Sequence, residues 1–307
     1  YSNNNEFAQT PGSLTMAEYQ ANRNQADATN LSLKTLIDSN SKHYGAFTEI
    51  DFNGFGVKYV ASGQETYHIN GKKYQVREGD YIIGNDFTKA AVQINQLEPV
   101  QGLCIDISAR IISEVASFHE VTEQNLSEFL LSDQFFVNRY NVKNTTLGYS
   151  LVEINENIKN GSFSHIIHHE ELFYSLAESV VMDQRFVFNQ LSKLNFKKHE
   201  TNEELLRALL KAKEVMDTTL FDAIRLDDLA LTSGISKYHF IRLFKSVFGI
   251  SPYQYVKHRK LDLARAELLK GSKVVDVAVQ FGYPDTPSFS KAFKQVFGTN
   301  PNSIKKQ

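Results

Sequence analysis

The chain has 307 residues, of which 42% are hydrophobic and 22% are charged, and its formal net charge is −2. This composition is ordinary for a globular protein, and the length allows two domains with separate cores. No run approaches the ~18 uninterrupted apolar residues of a membrane-spanning helix, and no signal-peptide core is visible, so we expect a cytoplasmic protein without a membrane partner. The single cysteine, Cys104, excludes an intrachain disulfide and a paired-cysteine metal site.

The charge is distributed unevenly along the chain. Residues 204–307 contain 17 Lys and Arg against 10 Asp and Glu, a net charge of +7, whereas residues 1–203 carry −9. A basic segment of this kind is typical of a module that binds a polyanion such as DNA. Charge alone is a weak indicator, and it needs a motif to support it.

The first two thirds of the chain predict an arm, a β-rich region and a helical region. Residues 1–30 are rich in Asn, Gln, Ser and Thr, so we expect a flexible arm. Residues 47–108 contain short β-like runs separated by turn signals, and Asn70-Gly71 predicts a two-residue hairpin. These runs predict a small antiparallel barrel or sandwich. From about 113 to 192 apolar residues recur at spacings of three and four, which predicts helices.

The C-terminal part contains an internal repeat. A polar segment at 193–203 is interpreted as a linker, and residues 204–307 read as helices. The pattern Phe244-Lys245-x-Val247-Phe248-Gly249-x-x-Pro252 recurs 49 residues later, from Phe293 to Pro301. Upstream, Asp228-x-Ala230-x-x-x-Gly234 recurs 48 residues later, from Asp276 to Gly282. The repeat predicts two helix-turn-helix units, at about 225–248 and 273–297.

The first unit has clear start and stop signals. Its apolar pattern predicts a short helix over 226–232, a left-handed turn residue at Gly234, a cap at Ser236 and a second helix over 237–247. The apolar residues on one face of the second helix are predicted to be core, and they are Phe240, Leu243, Phe244 and Val247. The other face is left to enter a DNA major groove.

The second unit follows the same logic. Gly282 lies in its turn, Asp285 or Thr286 is the predicted cap, and Pro287 falls in the first helical turn. Its predicted core residues are Phe289, Phe293 and Val296. A long helical pattern over 253–269 joins the two units and would hold their recognition helices about 34 Å apart, one turn of DNA.

The segment from about 205 to 303 resembles the DNA-binding domain of the AraC/XylS family of bacterial transcription regulators. The matching residues are Asp228-Leu229-Ala230, Gly234-Ile235-Ser236-Lys237-Tyr238-His239-Phe240, Arg242-Leu243-Phe244-Lys245, Gly249-Ile250-Ser251-Pro252, Arg259, Ala264, Asp276-Val277-Ala278, Gly282-Tyr283 and Phe289-Ser290-Lys291-Ala292-Phe293-Lys294. The family usually closes with an aromatic residue and an Arg. This chain has Ile304-Lys305 there, which we expect to change terminal packing rather than function.

The resemblance implies an α+β protein of two domains. A cupin-like N-terminal β-barrel followed by helices (31–192) would precede an all-α DNA-binding domain (204–307) with two helix-turn-helix units joined by a long helix. The implied base-contact candidates are Tyr238, Ile241, Arg242, Thr286, Pro287, Ser290 and Lys291. The phosphate-contact candidates are Ser236, Lys237, Lys245 and Lys294. Arg242 and Lys291 remain open, because each could hold a phosphate instead of a base.

The run from Val57 to Ile83 is similar to the cupin-like effector domain that often precedes this DNA-binding module. Metal-dependent cupins need a cluster of histidines with a carboxylate, and this run offers His68 alone, so a small organic effector fits better. His165 and His169 are one helical turn apart but lack a third ligand, so we predict no metal site and no cofactor. The effector-pocket candidates are Tyr59, Tyr67, Tyr74 and Tyr81, and the other interpretation of these tyrosines is barrel core.

We therefore expect a ligand-responsive transcription regulator rather than an enzyme, and the resemblance implies activation more often than repression. The expected partners are promoter DNA, an unknown small-molecule effector, RNA polymerase and a second copy bound through the N-terminal domain. Effector binding would change how the helical segment 113–192 holds the DNA-binding domains. Two alternatives stay open: a metal-dependent cupin enzyme with a DNA-binding appendage, and an architectural DNA-binding protein without an effector.

Overall fold

The computed structural model describes residues 30–36, 47–94, 99–119, 126–160, 170–194, 199–221 and 226–304. The predicted arm up to residue 29 and the pair His165 and His169 lie outside these ranges. The chain divides into two compact units, Tyr1–Phe188 and Asn189–Gln307. No described helix is both long enough and apolar enough to cross a membrane.

In the first unit the described strands form two antiparallel sheets. They are β1 (Asn30–Leu36), β2 (Phe47–Asp51), β3 (Phe55–Ser62), β4 (Gln64–Ile69), β5 (Lys72–Arg77), β6 (Asp80–Asn85), β7 (Lys89–Gln93), β8 (Val100–Ile107) and β9 (Arg139–Asn141). Sheet one has the order β1-β8-β3-β6-β9, and sheet two has the order β2-β7-β4-β5. Hydrogen bonding between the described strands therefore leaves two separate sheets and does not close a barrel.

The hairpin between β4 and β5 follows from its turn residues. Asn70 and Gly71 have φ angles of 50° and 74°, which are the two positive values that a type I′ turn requires. The turn fixes the register, in which Ile69 pairs with Lys72 and Tyr67 pairs with Tyr74. The predicted hairpin is confirmed.

Strand β3 is buried on both faces, and one face has an unusual composition. Gly56 of β3 pairs directly with Gly84 of β6, and the ring of Phe52 covers both glycines. A Cβ atom at Gly84 would lie 2.7 Å from Cγ of Phe52, so only glycine fits beneath the ring. Two strand positions further, the buried Lys58 forms an ion pair with the buried Asp106 of β8, with Nζ and Oδ1 3.5 Å apart.

The helices of the first unit are α1 (Ala109–Phe118), α2 (Leu126–Leu130), α3 (Thr146–Lys159) and α4 (Glu170–Ser192). Helix α1 begins before the predicted start near 113, because the Ser108 hydroxyl accepts the Ile111 N–H and caps the helix there. The carboxylate of Asp183 in α4 accepts the N–H groups of Thr146 and Leu147, both at 2.9 Å, and so satisfies two free donors at the start of α3.

The second unit is helical in its described part. Its helices are α5 (His199–Thr218), α6 (Leu226–Thr232), α7 (Lys237–Phe248), α8 (Pro252–Leu269), α9 (Val274–Gln280) and α10 (Thr286–Phe297). The division between the units falls inside α4, and residues 199–203 of the predicted linker lie in α5. The mixed α+β class, with sheets in the N-terminal part and helices in the C-terminal part, is confirmed.

Candidate nucleic-acid interface

The turn of the first helix-turn-helix unit joins α6 to α7. Gly234 has a φ of 68°, a left-handed conformation that glycine adopts without a steric cost. The Ile235 N–H donates to the Ala230 carbonyl at 3.2 Å, and the Ser236 hydroxyl accepts the His239 N–H at 3.4 Å. These bonds end one helix and start the next within four residues, which fixes the angle between them.

The turn of the second unit, between α9 and α10, repeats this geometry with different residues. Gly282 has a φ of 77°, and the Tyr283 N–H donates to the Ala278 carbonyl at 2.9 Å. Asp285 caps α10 by accepting the Ser288 N–H at 2.6 Å. Hydrogen bonds from Ser288 lower the pKa of the Asp285 carboxyl below its usual value. The cap is thus a hydroxyl in the first unit and a carboxylate in the second.

Both recognition helices bury the same kind of face. Phe240, Leu243, Phe244 and Val247 of α7 are buried, as are Phe289 and Phe293 of α10. Val296 is half-buried and packs against the second core. Each helix ends at a left-handed glycine, Gly249 or Gly298, whose N–H donates at 2.9 Å to a lysine carbonyl four residues earlier. The predicted core faces and turn glycines are confirmed.

Helix α8 connects the two helix-turn-helix units. Its side chains Leu261, Ala264 and Leu268 belong to the core of the second helix-turn-helix unit, which also includes Val277, Ala278, Phe281, Phe289, Ala292 and Phe293. Ile304, at the position where the sequence departs from the family pattern, packs against this core. Toward the first unit, the ring of Tyr255 lies edge-on to Phe244 with ring centroids 5.8 Å apart.

Asp217 ties α5 to α8 in the same region. Its carboxylate accepts the Tyr255 hydroxyl at 2.7 and 2.9 Å and the Arg259 Nε–H at 3.0 Å. Burial and the bond to Asp217 raise the pKa of the Tyr255 hydroxyl far above its usual value, which keeps the phenol protonated as a donor. These hydrogen bonds fix α8 against α5, and no sequence motif pointed to Asp217.

The exposure of the predicted base-contact residues varies along each helix. Tyr238 is 79% exposed, and Arg242, Pro287 and Lys291 are also exposed. Ile241, Thr286 and Ser290 are half-buried. Exposed side chains on a helix whose other face is core are available to a groove of DNA, and half-buried ones are within reach of it only at close approach.

The predicted phosphate-contact residues are all exposed, but two of them already have protein partners. The hydroxyl of Ser236 caps α7, and the ammonium group of Lys237 forms an ion pair with Asp227 at 2.8 Å. Lys245 and Lys294 occupy matching positions in the last turns of α7 and α10. Nothing in the sequence pattern had linked Lys237 to Asp227.

The effector-pocket candidates Tyr59, Tyr67, Tyr74 and Tyr81 are all buried in the first unit. Three of their hydroxyls donate to protein groups: Tyr67 to Glu65 at 2.6 Å, Tyr74 to the Val137 carbonyl at 3.3 Å and Tyr81 to Thr145 at 2.8 Å. Burial raises the pKa of Tyr81 well above its usual value. These contacts favour the core interpretation of the tyrosines.

His68 lies half-buried between the buried Tyr67 and Ile69, so its side chain points to the opposite face of β4. Its ring meets Phe47 edge-on with centroids 4.9 Å apart. Among the residues that the structure describes, no group of three or more His, Cys, Asp or Glu side chains is arranged to hold a metal ion.

Comparison with known proteins places the C-terminal part in a family. Residues 229–307 match a family model described as a helix-turn-helix domain. The Transposon Tn10 TetD protein of Escherichia coli is 32% identical over 88 residues, which are 28% of this chain and 64% of that protein. The HTH-type transcriptional activator AarP of Providencia stuartii is 31% identical over 88 residues, which are 28% of this chain and 65% of that protein. The chain thus spans just under two thirds of the length of these relatives.

A crystal structure of ToxT from Vibrio cholerae O395 covers 89% of this chain and 95% of its own, with 13% identity and a TM-score of 0.33. The name of AarP describes it as a transcriptional activator. The family match, the relatives and the two helix-turn-helix units agree: the C-terminal part of this chain is a helix-turn-helix domain of the AraC type, and its homologues are AraC-family transcription regulators.

Proposed function

We propose that this chain is a sequence-specific transcription regulator that reads two successive major grooves of promoter DNA. The observation that carries the proposal is the pairing of two units with the same scaffold and different exposed side chains. Tyr238 and Arg242 of the first recognition helix correspond to Pro287 and Lys291 of the second. One chain would therefore recognise an asymmetric site, with two unlike half-elements about 34 Å apart.

The charge distribution supports the same proposal. The net charge of +7 on residues 204–307 provides the sequence-independent attraction to phosphates, and the recognition helices provide the base contacts. The test is selection of bound duplexes from a random library by the purified chain, followed by titration of a selected duplex and its scrambled version at one fixed salt concentration. A regulator should prefer the selected site by about 10³-fold or more. A preference near unity would instead indicate an architectural DNA-binding protein.

We further propose that the N-terminal unit is a cupin-like effector domain and that the regulator is an activator. The two antiparallel sheets of the N-terminal unit support a domain of this kind, and activation is proposed by analogy with the name of the relative AarP. A thermal-shift screen of the full chain against a metabolite library tests the effector. DNA protection whose spacing is unchanged by every stabilising compound would contradict an effector role.

Two macromolecular partners belong to the proposal. A second copy would bind through the N-terminal unit, and RNA polymerase would bind the DNA-bound regulator. Analytical ultracentrifugation of the full chain tests the dimer, and transcription in vitro from a selected site tests the polymerase contact. A monomer at micromolar concentration, or a selected site that leaves transcription unchanged, would remove the corresponding partner.

A further inference from the structure

The first helix-turn-helix unit contains an ion pair between its two helices. Lys237 is the first residue of α7, and Asp227 is the second residue of α6. Their Nζ and Oδ2 atoms are 2.8 Å apart, and the side chains are 49% and 59% exposed. The pair therefore joins the first turn of α6 to the N-terminal end of α7, which is the recognition helix.

The second helix-turn-helix unit, formed by α9 and α10, has no counterpart of this ion pair. The sequence offset of 48 places Val275 of α9 at the position of Asp227, and the offset of 49 places Thr286 of α10 at the position of Lys237. Valine and threonine cannot form an ion pair. Since the turn glycine, the helix cap and the phenylalanine core are repeated in both units, the ion pair is not needed to fold a unit of this kind.

The position of the pair suggests what it does. The start of a recognition helix approaches the DNA backbone, because its free N–H groups and positive dipole end favour a phosphate. A lysine at this place would normally add a phosphate contact. Here Asp227 partly neutralises the ammonium group and accepts one of its three N–H donors, so a phosphate has to compete with the carboxylate for the lysine. An exposed ion pair is weak and is screened by salt, so a well-placed phosphate can displace it.

We propose that Asp227 is a specificity-determining residue that stays paired with Lys237 until α7 binds its specific site on DNA. This inference rests on the proposed DNA-binding function. Non-specific binding depends almost entirely on phosphate contacts, so a lysine that stays paired with Asp227 weakens it. At the specific site the base contacts hold α7 in the groove, and the adjacent phosphate replaces Asp227 as the partner of Lys237. The pair therefore lowers non-specific affinity more than specific affinity.

The salt dependence of DNA binding measures this exchange. The full chain and its Asp227→Asn variant are titrated with a selected duplex and a scrambled duplex between 50 and 200 mM salt. On the scrambled duplex, Asp227→Asn should gain about one phosphate contact, so its affinity should fall about threefold more than that of the wild type over this range. On the selected duplex the two proteins should have the same salt dependence. Val275→Asn, the matched position without a lysine partner, should leave both duplexes unchanged.

A double-mutant cycle separates the ion pair from a general loss of negative charge. If Asp227 acts through Lys237, the effect of Asp227→Asn disappears in a Lys237→Gln background. If the effect persists there, Asp227 repels DNA on its own and the proposal is overturned. An Asp227→Asn variant whose salt dependence equals that of the wild type on the scrambled duplex also overturns it. A wild-type chain that binds neither duplex would overturn the proposed function together with this inference.

Discussion

Phe244 and Phe293 occupy the same place in the two helix-turn-helix units. Both side chains are fully buried. Each lies 4.5 Å, centroid to centroid, from the phenylalanine four residues later, Phe248 or Phe297, with ring planes at 50° and 52°. Each also contacts the phenylalanine four residues earlier, at 5.8 and 5.6 Å. The repeated sequence therefore produces a repeated three-ring ladder, and the ladder holds each recognition helix on its unit.

Replacing either central ring should destabilise the C-terminal unit, Asn189–Gln307, to a similar degree. Phe244→Ala and Phe293→Ala each remove a buried aromatic side chain, and we expect each to lower the free energy of unfolding by about 3–5 kcal/mol. Urea unfolding followed by circular dichroism measures this loss. Tyr238→Ala, on the exposed face of α7, should stay within about 0.5 kcal/mol of the wild type. A small effect at only one of the two phenylalanines would show that the units are not energetically equivalent.

The helices of the second unit could be predicted closely because their signals are local. The bounds of α6 match the predicted 226–232, and α7 extends the predicted helix by one residue, since Ser236 and Gly249 mark its ends. The first unit was harder because strand pairing is not local. Strand β9 lies in a stretch predicted to be helical, and it forms only because β6 offers it a pairing edge. Strand β1 likewise pairs with β8, far along the chain.

Pairs of charged residues, in the candidate site and in the N-terminal sheets, could not be predicted from the sequence. Lys237 was predicted as a phosphate contact from its place in the motif, but its partner Asp227 follows from the turn geometry that brings α6 against α7. Lys58 sits in an apolar run, and its burial with Asp106 depends on the register between β3 and β8. Periodicity predicts which face of an element is buried, and it does not predict which charges meet there.

The glycine pair beneath Phe52 should not tolerate a methyl group. In Gly84→Ala the new Cβ atom would lie 2.7 Å from the Phe52 ring, so the ring or the strand has to move. We expect a loss of about 1–3 kcal/mol in the free energy of unfolding, as for other overpacked cores. The matched measurement is Gly84→Ala in a Phe52→Ala background, where most of that loss should be absent. Additive effects of the two substitutions in urea unfolding would show that the ring is not the obstacle.

The two helix caps should respond differently to acid. The hydrogen bonds from Ser288 hold the pKa of Asp285 below its unfolded value, so this carboxylate stabilises the fold above about pH 4 and loses that effect as the pH falls through its lowered pKa. In Asp285→Ser the cap is a hydroxyl that does not titrate. The stability advantage of the wild type over Asp285→Ser should therefore shrink between pH 6 and pH 3.

Ser236 supplies the control for this titration because it caps the matching helix with a hydroxyl. Ser236→Ala should lower the free energy of unfolding by about 0.5–2 kcal/mol, by the same amount at pH 6 and pH 3. Urea midpoints at several pH values provide both comparisons. An advantage of the wild type over Asp285→Ser that does not change with pH would show that the Asp285 charge contributes nothing to the cap.

The second unit should need residues before the predicted domain start at 204. Leu191 and Leu194 are buried, and the Lys193 ammonium group donates to the Val247 carbonyl at 3.4 Å, at the C-terminal end of α7. A cation at this end also interacts favourably with the helix dipole. A fragment of residues 189–307 should therefore be more stable than a fragment of 204–307, by about 2 kcal/mol or more. Equal urea midpoints for the two fragments would show that residues 189–203 do not stabilise the DNA-binding unit.

Arg242 and Lys245 should affect DNA binding in different ways, although they lie one turn apart on the exposed side of α7. Arg242 lies one turn after Tyr238 in the middle of the recognition helix, where a guanidinium group can form two hydrogen bonds to a guanine. Arg242→Ala should cost about 1–3 kcal/mol on the selected site and relax specificity at one base pair. Lys245 lies in the last turn, so Lys245→Ala should weaken all sequences alike and reduce the salt dependence by about one contact. Lys294→Ala at the matching position of α10 should behave as Lys245→Ala does.

Binding of each variant to the selected duplex and to all single-base variants of it separates the two roles. If Arg242→Ala and Lys245→Ala lose the same affinity on every duplex, both side chains hold phosphates, and the base contacts of the first unit must come from Tyr238 and Ile241.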